Sequence, residues 1–162
     1  MTAAGMDVAH YTDDYLRRVL ANNPVVAMIG ASAKAERASH RIMKYLQGKG
    51  FRVIPVNPGE AGNTIHGELC YARLQDVPET IDIVDVFRRS EAAQEIVADA
   101  IAVGAKAVWM QLGVENAAAA EMGRAAGLDV IMNRCPKIEC SRLFGDRTLG
   151  EIHAEVAAGA SR

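Results

Sequence analysis

Apolar residues fall in short runs along the chain, and the runs alternate between two periods. VVAMIG at 25–30, FRVIPV at 51–56, IDIVDVF at 81–87, AVWMQ at 107–111 and LDVIM at 128–132 are rich in β-branched residues and bounded by turn residues. These are the marks of strands, and their near-continuous apolar character suits a sheet covered on both faces. Helical spacing fills the gaps. Thr12 is placed to cap a helix over 13–21, which starts acidic, carries Arg17 and Arg18 later and is stopped by Asn22, Asn23 and Pro24. Ile42, Met43 and Leu46 mark a helix over 39–47, with Gly48 and Gly50 as its stop. Ser90 is positioned to cap a helix over 91–103, and Gly127 ends one over 115–126. Residues 1–10 read as a loose terminus, 62–78 as an aperiodic connection crossing the sheet surface, and the pattern fades beyond Pro136 before a short helix over 150–158. The expected fold is α/β: a doubly wound, mostly parallel sheet of about five strands with helices on both faces.

Composition narrows the class. At 162 residues, 50% hydrophobic and 23% charged, the chain has the length and balance of one globular domain spanning 1–162. A formal net charge of -2 argues against a nucleic-acid partner, although not against a local basic site for a phosphorylated ligand. No basic stretch leading into an apolar core opens the chain, and no apolar run is long enough to span a bilayer, so a cytoplasmic protein is expected. Cys70, Cys135 and Cys140 form no disulfide framework and read as free buried thiols.

In a parallel sheet, ligands bind beyond the carboxyl ends of the strands. The loop after the first strand, from Gly30 to Ala38, has small residues at Gly30, Ala31 and Ser32, where backbone N–H groups can approach a phosphate. Ser32 adds a hydroxyl, and Lys34 and Arg37 add cations. The loop fits neither G-x-G-x-x-G nor the P-loop. At the end of the second strand an NAD site would place an acid, and Asn57 and Pro58 stand there instead. A neutral residue suits a ribose carrying a 3′-phosphate better, although Asn57, Pro58 and Gly59 also make an ordinary turn. Phe87 and Arg88 close the third strand, where a ring can line a base pocket and an arginine grip a phosphate, or both can be core edge and solvated surface. Gln111 is placed to bond a ligand amide or base, or simply faces water, while Trp109 reads as core. His10, His40, His66 and His153 are scattered, Cys135 and Cys140 lack a second ligand pair for zinc, and Glu139, a candidate base, has no nucleophile beside it. No catalytic and no metal-binding residues are assigned.

Taken together and in order, VVAMIGAS, KGFRVIPVNPGEAGNTIHGELCYARLQDVPETIDIVDVF, WMQLGVEN and NRCPKIEC resemble the small stand-alone CoA-binding proteins. Their Rossmann-like fold is related to the CoA-binding domain of the succinyl-CoA synthetase α subunit. The resemblance covers roughly 15–143, leaving an N-terminal helix and a short tail outside the core. It implies that Gly30, Ala31 and Ser32, with Lys34, Arg37 and Ser39 nearby, hold the phosphates, that Asn57 and Pro58 border the nucleotide, and that Phe87, Arg88 and Gln111 line the pocket. Two departures stand out. Glu60 follows Gly59 where the synthetase pattern TPGK has a lysine, and Lys137, Ile138, Glu139 and Cys140 replace a Lys-x-Glu-His ending. The expected function is non-catalytic binding of coenzyme A or acyl-CoA through its ADP portion. The rivals are an NAD-linked enzyme or redox-sensing domain, a regulatory subunit supplying a CoA site to a separate acyl-CoA ligase chain, and a mixed disulfide between CoA and Cys135 or Cys140. Whether the chain forms a homo-oligomer or has a ligase partner stays open.

Overall fold

The computed structural model describes residues 11–160; the terminus expected to be loose over 1–10, with His10, lies outside them. In chain order the elements are α1 (Asp13–Ala21), β1 (Val25–Ile29), α2 (Ala38–Gly48), β2 (Arg52–Val56), β3 (Thr64–Ile65), β4 (Glu68–Leu69), β5 (Ile83–Val86), α3 (Ala93–Ala102), β6 (Ala107–Met110), α4 (Ala117–Ala125), β7 (Asp129–Ile131), α5 (Pro136–Phe144) and α6 (Leu149–Ala160). Five strands form one parallel sheet in the order β2-β1-β5-β6-β7. This is the doubly wound, Rossmann-like α/β fold expected from the alternation of periods.

Side chains alternate across each strand, and the two sets meet different helices. Val26, Met28, Ile83, Trp109 and Ile131 pack against α1, α2, α5 and α6. Ala27, Val84, Val86, Val108 and Val130 pack against α3 and α4. Trp109, expected in the core, is 1% exposed, and its indole N–H donates to the Arg134 carbonyl at 2.8 Å.

Thr12 does cap α1, its hydroxyl accepting from Tyr15 N at 3.2 Å. Ser90 does not cap a helix. It sits in a 3-10 turn, Ser90–Ala92, ahead of α3, and its side chain reaches across to the next loop. Its hydroxyl accepts from Glu115 N at 3.0 Å, while its carbonyl accepts from Asn116 Nδ2. Asn116 in turn caps α4, which therefore begins at Ala117 rather than at Glu115. Two segments contradict their aperiodic reading. The 62–78 connection contains the short β3–β4 hairpin and, instead of crossing the sheet surface, follows its edge, with Asn57 N donating to Tyr71 O and Tyr71 N to Pro55 O. Pro136, where the pattern fades, is the first residue of α5. Proline is tolerated there because that N–H would have no helical partner, and Cys140, Leu143 and Phe144 bury one side of the helix.

Candidate functional site

Strand order reverses between β1 and β5, so the loop leaving β1 turns toward α2 on one face while the loop leaving β5 turns toward α3 on the other. A crevice opens where such loops part. Gly30 forms its floor. Its N–H donates to Val56 O at 2.9 Å, and the neighbouring Phe87 N donates to Ile29 O at 2.8 Å. Its φ is +93°, and a Cβ there would lie 2.3 Å from the Phe87 carbonyl oxygen. Only glycine meets both conditions.

Beyond Gly30 the chain rises over the crevice. Ser32 Oγ accepts from Lys34 N at 3.1 Å, Arg37 N donates to Lys34 O at 3.0 Å, and α2 starts at Ala38 without a side-chain cap. The N–H groups of Ala31, Ser32, Ala33, Ala38 and Ser39 donate to no acceptor among the described residues. Free amides at the start of a helix, with its partial positive charge, suit an anion. Gly30, Ser32, Lys34, Arg37, Ala38, Ser39, Asn57, Glu60 and Phe87 line this cleft, whose volume is about 450 Å³.

Two further clefts adjoin it along the strand ends. Pro58 and Arg88 line one on the α3 side, about 360 Å³ in volume. Phe87, Arg88 and Gln111 line the other, about 630 Å³, together with Arg89 and Leu112. Shared residues, Gly30 on one side and Phe87 with Ala38 on the other, join the three into one trough. Ten of the eleven candidate residues therefore border it. The exception is Ala31, whose side chain is fully buried on the α2 face, so that only its backbone is near the crevice.

Two of the ten have roles that their positions alone did not reveal. Both ends of the Asn57 amide are engaged by backbone: Nδ2 donates to Ala31 O at 2.8 Å and Oδ1 accepts from Gly59 N at 2.9 Å. Asn57 thus ties the end of β2 to the glycine loop. Gln111 does not face water. It is 5% exposed, and its Nε2 donates to Asp85 Oδ1 at 2.8 Å. Asp85 sits inside the apolar run 81–87, and an acid within such a run is itself a signal. It is buried, and burial pushes its carboxyl up to about 7 against the smaller, opposite effect of the Gln111 hydrogen bond. Glu60, singled out only for the lysine it replaces, turns out to line the central cleft.

The remaining polar candidates lie apart from the trough's chemistry. His66 packs against His40 with the rings tilted and their centroids 4.0 Å apart, and His66 Nε2 lies 2.8 Å from His40 O. His153 meets Ala21 O. Among the described residues, no three His, Cys, Asp or Glu side chains cluster as metal ligands. Cys70, Cys135 and Cys140 are free and buried, and burial pushes the Cys140 thiol up to about 12. At neutral pH Cys140 stays in the thiol form, which does not attack a disulfide. Glu139 is held by Arg142 at 2.7 Å, not aimed at a reacting group. No helix of the described chain is long and apolar enough to cross a membrane.

Comparison with known proteins converges on one family. Residues 24–141 match the family model described as CoA binding domain. The chain is 32% identical over 123 residues to the uncharacterized protein YneT of Bacillus subtilis (strain 168), covering 76% of this chain and 90% of that protein. It superposes with a TM-score of 0.80 on a hypothetical protein from Pyrococcus horikoshii OT3, at 37% identity, covering 90% of this chain and 99% of that one. An acetyl-coenzyme A synthetase from Ca. Korarchaeum cryptofilum, solved with phosphate and ADP, shares the fold with a TM-score of 0.58 at 23% identity, over 74% of this chain and 27% of the synthetase. With the family model spanning the sheet from β1 to β7 and reaching into α5, the chain belongs to the CoA binding domain family.

Proposed function

We propose that the trough binds coenzyme A or an acyl-CoA through its ADP portion, and that the role is binding rather than catalysis. The observation that carries this reading is the set of unengaged N–H groups around Gly30 and the start of α2, with Lys34 and Arg37 beside them. The same feature is the test of fit: these amides, with Lys34 and Arg37, border an open cleft of about 450 Å³, wide enough for a pyrophosphate. In this reading Gly30, Ser32, Lys34, Arg37 and Ser39, with the Ala31 backbone, hold the phosphates. Pro58 borders the nucleotide, Asn57 holds the cradle's shape, and Phe87, Arg88 and Gln111 line the remainder.

A second reading has one specific observation in its favour. Glu60 places a carboxylate in the central cleft, where it can accept from the hydroxyls of an unphosphorylated ribose, as an NAD site requires. Calorimetry with CoA, dephospho-CoA and NAD separates the two. CoA should bind most tightly, dephospho-CoA less tightly for want of the 3′-phosphate, and NAD least. NAD binding as tightly as CoA overturns the CoA reading.

A further inference from the structure

Asp85 lies in β5, the middle strand of the sheet, in register with Met28 on one side and Trp109 on the other. It is 1% exposed. The space it faces is lined by apolar side chains, among them Leu20 of α1, Leu46 of α2, Val26 of β1, Trp109 of β6 and Pro136 of α5. Among the described residues, no charged side chain from those elements lines that space, and Gln111 is the one polar side chain acting on the carboxyl. An ionisable group in such a place costs stability unless it is fully paired. Asp85 is only half paired: Oδ1 accepts from Gln111 Nε2 at 2.8 Å, and Oδ2 has no partner among the described residues.

Gln111 follows Trp109 by two residues and so stands on the same face, one step nearer the carboxyl end, where it borders the trough beside Phe87 and Leu112. Its Oε1 accepts no hydrogen bond from the described residues. A carboxylate can only accept. An amide paired with it must turn its NH₂ inward and its oxygen outward. We propose that Asp85 is a positioning residue that fixes Gln111 as a hydrogen-bond acceptor facing the trough, where it receives an N–H of the bound ligand. This rests on the trough being the CoA site. In CoA such donors are the two amides of the pantetheine arm and the amino group of adenine.

A proton on Asp85 removes that constraint. A carboxylic acid can donate to Gln111 Oε1, turning the NH₂ outward and exchanging the acceptor for a donor. Because burial raises the carboxyl to about 7, ligand affinity should be highest with Asp85 ionised and should fall as the pH drops through that value.

The test titrates the full chain by calorimetry at about pH 8 and about pH 6, on either side of that value. The probes are CoA, 3′,5′-ADP (adenine without pantetheine) and 4′-phosphopantetheine (amides without adenine). Loss of one net hydrogen bond corresponds to a fall of about threefold to tenfold at the lower pH. That fall should occur with CoA and with one of the two fragments, which identifies the N–H. Asp85→Asn, whose amide can either donate to Gln111 or accept from it, leaves the acceptor unfixed and should show the lower affinity at both pH values. The ligand phosphates and His40 also titrate, and their contribution is common to both proteins. Should Asp85→Asn fail to fold, Gln111→Met, which keeps the length and removes the acceptor, must show the lower CoA affinity and a smaller fall between the two pH values than the wild type. A wild-type protein that binds CoA with the same pH dependence as the variant overturns this inference alone, as does an equal fall for both fragments. A wild-type protein that binds no CoA at either pH overturns the trough reading and this inference with it.

Discussion

The two ends of the parallel sheet arrange their charges in opposite ways. At the amino ends the charges meet one another. Arg52, which opens β2, pairs with Glu68 at 3.1 Å and Glu79 at 2.6 Å. Asp82, just before β5, accepts from Val25 N at 3.0 Å and pairs with Lys106 at 3.4 Å. Asp129, which opens β7, takes Arg18 at 3.1 Å and the Tyr15 hydroxyl at 3.2 Å. At the carboxyl ends, Lys34, Arg37, Arg88 and Arg89 form no ion pair among the described residues, and the N–H groups of Ala31, Ser32, Ala33, Ala38 and Ser39 beside them lack acceptors. Partly exposed ion pairs contribute little stability each, so the amino-end pairs matter chiefly because they leave that end closed. What remains open at the other end is a set of donors and cations without an internal partner.

Substitutions at the two ends should therefore separate folding from binding, and the largest effect belongs to Gly30. Gly30→Ala forces a Cβ toward the Phe87 carbonyl and holds alanine at positive φ. Left-handed strain and overpacking together should cost roughly 2–5 kcal/mol, read as a lowered Tm with loss of CoA binding. A variant that melts like the wild type and still binds would show that the crevice floor is not rigid. Arg37→Ala should leave Tm nearly unchanged and weaken CoA by about 1.5–3 kcal/mol if the guanidinium makes a charge-assisted phosphate contact. Arg18→Ala, its counterpart at the closed end, should leave binding untouched and cost at most about 1 kcal/mol of stability. Equal binding losses in the two variants would erase the distinction between the ends.

How much of this was visible beforehand differs between framework and rim. The five strands and the helices between them follow from period and turn residues, because burial on both faces leaves few alternatives for runs such as VVAMI. Pro136 and Ser90 misled because each residue type has two local uses: proline both breaks helices and begins them, and serine both caps helices and bonds across to a neighbouring loop. At the rim, chain position was enough to bring Gly30, Ser32, Lys34, Arg37, Ser39, Asn57 and Phe87 to one cleft. It was not enough to show that the Asn57 amide is taken up by backbone, or that Gln111 points inward to Asp85. Those depend on which partners long-range packing supplies, and local sequence does not contain them.

Glu60 is the one acid among the described residues that line the central cleft, and it gives the finest test of the contrast between the ends. The turn Pro58–Glu60 is set by Asn57, whose Oδ1 accepts from Gly59 N and whose carbonyl accepts from Glu60 N at 3.1 Å. Glu60 therefore shares the cleft with Lys34 and Arg37 while forming no ion pair among the described residues. If the cleft holds phosphates, the carboxylate repels them, and Glu60→Gln should strengthen CoA binding. The site is open to water, so the gain should stay within about 0.2–1 kcal/mol and shrink as salt is added. Dephospho-CoA should gain less if the repulsion acts on the 3′-phosphate, and equally if it acts on the pyrophosphate. A loss of affinity instead would mean that Glu60 accepts a ribose hydroxyl. In that case the acid expected of an NAD site is present after all, four residues beyond the end of β2 rather than at it.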